Sequence, residues 1–196
     1  MNSNWLLKVL ILALFFSFSG CKKKESKVDI CSTSKDRIVF FSLKNYFCEK
    51  KNEFEAKGYK VNKRVSFGRD SEVIEYMEIN WTNEFASLIA ADINHTSWVD
   101  NFKTDTLPHS NGYSVNYQTE KRNIPVKQVK IEFNSNKEVQ KIEIKTSRRN
   151  WMYNSGQSIS FEPNVRYSIE GWQRALLLSK TEFKVEGIIL SDNKSE

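Results

Sequence analysis

An unbroken apolar run, Val9 to Phe16, opens the chain, and beyond it the hydrophobic positions become periodic. The run is too short to span a bilayer, which takes roughly 20 apolar residues, and it reads as the core of an export signal. Leu43, Tyr46, Phe47 and Phe54 then recur at helical spacing. Ser42 precedes them as an N-cap, Phe41 and Tyr46 have the spacing of a hydrophobic staple, and Gly58 suits the C-terminal cap. From Tyr59 the period shortens to two, through Val61, Val65 and Phe67 to a turn at Gly68-Arg69-Asp70-Ser71, which predicts a hairpin with its return strand over 72–79. Asn80 or Thr82 can cap a second helix carrying Trp81, Phe85, Leu88, Ile89 and Asp92 along one stripe and ending before Asn94.

The C-terminal half reads as strands. Tyr113, Val115 and Tyr117 alternate, as do Val129, Ile131 and Phe133, and Asn134-Ser135-Asn136-Lys137 turns the chain toward Val139, Ile142 and Ile144. After irregular Trp151-Met152-Tyr153 come Ile159 and Phe161, a long strand from Tyr167 through Leu178 bulged at Gly171, and a last strand through Phe183, Val185, Ile188 and Leu190. Short turns between sequential strands imply an α+β fold: an antiparallel β-meander, or its partly closed barrel variant, with two α-helices packed on one face. The expected organisation is a signal peptide over residues 1–20, a basic tether over 21–37 and one α+β domain over 38–191. A hydrophobic content of 39% with only seven Gly and three Pro fits a folded body rather than a disordered chain.

The residues just after the apolar run decide the address. Phe18-Ser19-Gly20-Cys21 places a thiol directly after small residues that leave the backbone open to a peptidase. These four residues resemble a bacterial lipobox, with Phe18 where Leu is commonest, in the manner of Bacteroidetes lipoproteins. The resemblance implies a lipidated, palmitate-bearing Cys21 and anchoring at the cell envelope. Lys22 is not an acidic retention signal, which favours the outer membrane over the inner. The phrases Phe41-Ser42-Leu43-Lys44-Asn45-Tyr46-Phe47, Asp92-Ile93-Asn94-His95-Thr96-Ser97-Trp98 and Tyr167-Ser168-Ile169-Glu170-Gly171-Trp172-Gln173 are similar to those of uncharacterised lipoproteins of that group. That likeness implies location and carries no functional residues.

Charge sharpens this picture once it is divided. The net +6 includes Lys8, which leaves with the signal, and residues 21–37 hold six basic against three acidic side chains, so the body is close to neutral. A near-neutral body lacks the footprint of a nucleic-acid binder, whereas a basic tether suits anionic headgroups beside a lipid anchor. Within the body, residues 70–105 carry eight acidic side chains and one lysine, and residues 121–149 carry nine basic and three acidic. Those segments could face one another, or Lys130, Lys141, Lys145, Arg148 and Arg149 could form an anion-binding face for an acidic glycan, a lipid phosphate or a protein partner.

Candidate chemistry is sparse. With Cys21 lipidated, Cys31 and Cys48 remain in an oxidising compartment, either as a disulfide or with Cys48 a buried, inert helix thiol. Asp92 and His95 could form an oriented base for a hydrolase, although a histidine after a helix C-terminus is also favoured by the helix dipole. His109 is expected in a loop after Pro108. Neither imidazole has zinc spacing, and Ser32-Thr33-Ser34-Lys35 lacks the companions of an acylating serine site. No cofactor motif is present. The expected function is a non-enzymatic, membrane-anchored envelope binding module with an unknown protein, glycan or lipid ligand. The alternatives are a hydrolase using His95 and Asp92, or an apolar-ligand carrier with a cavity under the sheet lined by Trp151, Tyr153, Trp172 and Phe183.

Overall fold

The computed structural model describes residues 30–31, 37–68, 70–76 and 79–191, with side chains left out over 70–76. The expected signal peptide, Cys21, most of the expected tether and Ser32-Thr33-Ser34-Lys35 therefore lie outside the described residues. The body is mostly β. Helix α1 (Leu43–Ala56) is followed by strands β1 (Lys60–Phe67) and β2 (Asp70–Tyr76), then by two single-turn helices, α2 (Trp81–Glu84) and α3 (Ala86–Ile89). A 3-10 turn (Val99–Asn101) leads into β3 (Lys103–His109), β4 (Gly112–Gln118), β5 (Val126–Asn134), β6 (Val139–Arg149), β7 (Tyr153–Glu162), β8 (Arg166–Ala175) and β9 (Thr181–Leu190).

All nine strands form one antiparallel sheet in the order β2-β1-β9-β8-β7-β6-β5-β4-β3. Seven sequential strands thus make the expected meander. The first hairpin does not start that series; it docks on its far end, β1 pairing with β9 from Lys60↔Leu190 to Phe67↔Phe183. The sheet is open, with β2 and β3 as its two unpaired edges, so the barrel variant does not form.

The helix begins and ends where local chemistry directs. Ser42 is extended and its hydroxyl accepts from the Asn45 N–H at 3.1 Å, while the Phe41 and Tyr46 rings meet at 5.5 Å across the cap. At the other end Gly58 takes φ 64°, Tyr59 N donates to Phe54 O at 3.0 Å, and the two rings meet at a tilt with centroids 4.5 Å apart. This is a Schellman motif with its usual apolar contact. The predicted second helix is broken at Phe85, whose backbone leaves the helical region, giving two pieces of four residues each. Trp81, Phe85, Leu88 and Ile89 are all buried despite the break, so the two pieces keep the apolar face that their spacing predicts.

Between helix and sheet the space is filled. Phe47, Phe54, Phe85 and Phe161 are fully buried, with neighbouring ring centroids 4.9 to 5.8 Å apart, mostly edge-on or tilted. Ile131, Ile142, Ile144 and Ile159 floor them from the sheet. Among the described residues a partly buried polar link ties α2 to the sheet: Glu84 accepts from Lys63 Nζ at 2.9 Å and from the Tyr167 hydroxyl.

Two further corrections concern strands. Pro108 and His109 lie in edge strand β3 rather than in a loop, and a proline is tolerated there because an edge N–H faces away from the ladder. Strand β8 ends at Ala175 and runs through Gly171 without a bulge, in unbroken register with β7. Its glycine serves the neighbouring strand instead. Gly156 lies opposite Trp172, Gly171 opposite Phe183 and Gly187 opposite Tyr167, and a Cβ at any of the three would come within 3 Å of that ring. Each ring lies over its glycine, an arrangement that restores apolar cover where a side chain is missing.

Candidate functional site

The phrase Asp92 to Trp98 is where sequence chemistry concentrates, and the structure gives Asp92 and His95 separate tasks. Chain direction brings the end of α3 against the N-terminus of α1. There the Asp92 carboxylate accepts from the Ser42 hydroxyl at 2.8 Å and from the Lys44 N–H at 2.7 Å. It also accepts from the backbone N–H of Asn94 at 2.8 Å and from its side-chain amide at 2.9 Å. A carboxylate on the first turn of a helix satisfies free N–H groups and opposes the positive end of the dipole. Asp92 is therefore a tertiary cap. His95 turns outward, its Nδ1 2.8 Å from the Ser97 hydroxyl and its ring 5.1 Å from that of Trp98. No hydrogen bond joins Asp92 to His95 among the described residues, so the pair is not assembled as an acid–base unit.

Asn94 is the residue that sequence reasoning passed over. It is 5% exposed, and its amide oxygen accepts from the N–H groups of Val39 and Phe40, each at 2.8 Å. Its nitrogen donates to the Phe40 carbonyl at 3.3 Å and to Asp92. Together Asp92 and Asn94 form a clasp that fixes the segment leading into α1. A buried amide two residues beyond a carboxylate is a signal for such a turn, but sequence does not say which distant backbone it will hold.

The cysteines meet as well. Cys31 and Cys48 form a disulfide across a sequence separation of 17 residues, pinning residues 30–31 to α1. Closing a loop of that size contributes roughly 3 kcal/mol on the chain-entropy account.

The five basic residues proposed as an anion face are divided by the strand register. Lys130 pairs with Glu132 at 2.6 Å and Lys141 with Glu143 at 2.8 Å, and across the β5–β6 ladder Lys130 stands opposite Glu143 and Lys141 opposite Glu132. The four charges cancel locally, and the Lys141 hydrogen bond holds the Glu143 carboxyl below its ordinary range. The neutralising acids thus come from the basic hairpin itself. Lys145 lines a shallow groove of about 700 Å³ on the same polar face, together with Ser66, Ser158, Glu170, Trp172 and Lys184. Lys184 bridges Glu170 at 3.0 Å and Glu186 at 2.9 Å. Arg148 and Arg149 lie past the β5–β6 pairing, opposite Ser155 and Asn154 of β7, and are exposed at the end of β6.

The four residues expected to line an apolar cavity do not share one. Trp172 and Phe183 both border the Lys145 groove, but their rings cover glycines on opposite faces of the sheet, since Gly156 and Gly171 occupy alternate positions of the ladder, and Trp151 and Tyr153 are not part of its lining. Trp151 is 79% exposed in the β6–β7 turn. Tyr153 donates to Gln173 at 3.2 Å beside it.

Among the described residues there is no cluster of His, Cys, Asp and Glu able to hold a metal ion, and no helix is long and apolar enough to cross a membrane. No protein-family model, curated protein or solved structure matches the chain.

Proposed function

We propose that this chain is a lipid-anchored envelope lipoprotein whose body is a non-enzymatic binding module. The observation that carries the reading is Cys21, placed directly after Phe18-Ser19-Gly20 at the end of an export-signal-like apolar run and followed by three lysines. The body supports it in two ways. Its helix side is packed with aromatic rings, and its open polar face carries the Trp172 groove, a concave surface with a flat apolar ring among charges. A partner is held there by stacking and hydrogen bonds rather than by a buried apolar chamber.

Metabolic labelling with a radiolabelled fatty acid tests the anchor. The wild-type protein takes up label and sediments with membranes, and Cys21→Ala loses both properties. Unchanged labelling of Cys21→Ala overturns the reading.

A further inference from the structure

The end of the sheet that carries the β6–β7 and β8–β9 turns differs from the rest of the surface. Trp151 is 79% exposed, Met152 51%, Leu176 54%, Leu177 97% and Leu178 65%. Scattered exposed apolar residues need no explanation, but five large ones gathered on adjoining turns do. The two turns are joined, because Leu176 N donates to Met152 O at 2.7 Å.

The turns are built rather than slack. Asn150 closes the first: its side-chain oxygen accepts from Met152 N at 2.9 Å and Tyr153 N at 2.7 Å, while its own N–H donates to Tyr153 O at 2.9 Å. Trp151 and Met152 are thereby held at the apex. In the second turn Leu177 adopts φ 65°. A bulky residue in the left-handed region costs about 1 to 2 kcal/mol, and here that conformation presents an almost fully exposed leucine. Glycine or asparagine would occupy this position without strain or apolar surface.

Among the described residues, the unpaired charges next to these two turns are basic. Arg148 and Arg149 end β6 and Arg174 nearly ends β8; all three are exposed, and none makes an ion pair among the described residues. Lys180 and Glu182 neutralise each other at 2.7 Å. Apolar side chains at an apex with guanidinium groups set behind them match a bilayer interface, where acyl chains lie below a layer of phosphates.

We propose that these two turns form a membrane-docking tip, with Trp151, Met152 and Leu176 to Leu178 entering the interface of an anionic bilayer. Arg148, Arg149 and Arg174 meet the headgroup phosphates. Cys21 lies ten positions before Cys31, a span of at most about 35 Å, so an anchor at Cys21 holds the body within reach of the surface. In this respect the tip rests on the lipoprotein reading, yet it is measured separately.

The test uses the mature protein purified from its host and reconstituted into phosphatidylcholine vesicles containing a minority of phosphatidylglycerol, with bromine on the acyl chains. The expected result is that brominated chains quench part of the tryptophan emission, that Trp151→Phe removes that quenching, and that Leu177→Asp reduces it. Replacing Arg148, Arg149 and Arg174 by Gln reduces it as well, and so does leaving out the anionic lipid. Trp81 is buried and serves as an internal unquenched reference. Flotation with vesicles reports the anchor, quenching reports the tip. Protein that floats with unquenched emission overturns the tip while leaving the anchor intact, and quenching that persists in Trp151→Phe overturns it too. A photo-crosslinker at position 177 that captures protein rather than lipid in cells assigns the apex to a protein partner and overturns the bilayer.

Discussion

Replacing Asn94 by Ala tests the clasp directly, because its amide makes four hydrogen bonds from a nearly buried position. At about 1 kcal/mol net for each bond the upper bound is about 4 kcal/mol. Two features lower it. Val39 is 47% exposed, so its N–H recovers a water partner. Asp92 keeps its bonds to Ser42, Lys44 and the Asn94 backbone. The groups left without recourse are the Phe40 N–H and carbonyl, and the expected loss is about 2 to 3 kcal/mol. Urea unfolding of the purified protein measures it, with the midpoint falling and the slope unchanged. Asp92→Ala weakens the same junction, and the double variant loses less than the sum of the singles because the two side chains share a bond. A loss below about 0.5 kcal/mol for Asn94→Ala, or strict additivity with Asp92→Ala, refutes the claim that this pair holds the chain onto α1.

Packing and ionisation give two other expected outcomes. Gly187→Ala places a methyl carbon 2.2 Å from the Tyr167 ring, so it destabilises the protein by about 1 to 3 kcal/mol; adding Tyr167→Leu recovers part of this in the same urea assay, and a neutral single substitution removes the account of the glycine. Burial raises the Tyr46 phenol well above its usual value, with the Glu53 carboxylate adding to the shift. The folded state therefore binds that proton more tightly than the unfolded chain, and its contribution is complete below about pH 10 and lost as pH rises further. Stability measured from pH 9 to 11 should fall more steeply for wild type than for Tyr46→Phe, and parallel curves would contradict the assignment.

How much of this was readable from sequence divides by range. The caps of α1 were legible because Phe41, Ser42, Tyr46 and Gly58 act on neighbours in the chain. The β5–β6 hairpin was legible for the same reason, its turn residues standing between two alternating runs. Edge strand β3 was hidden, since residues 103–109 are all exposed and so show no alternation. The break at Phe85 was hidden because either one helix or two turns satisfies the same spacing of apolar residues. Leu176 to Leu178 looked like the continuation of a strand, and only the pairing of Gln173 with Thr181 shows that the ladder has closed before them. The candidate pair Asp92 and His95 was legible as residues and not as a geometry. What Asp92 binds is set by α1 lying against the 92–94 turn, a tertiary fact.

The docking of β1 on β9 has a consequence for the order of folding. Strand β1 ends at Phe67, while β9 begins only at Thr181. The first hairpin thus has no neighbour until nearly the whole chain has been made, and contacts of such long sequence separation form late. Until then β1 offers an unsatisfied edge, and the chain resists early closure. The sheet is therefore completed only by its last strand, when β9 closes against β1.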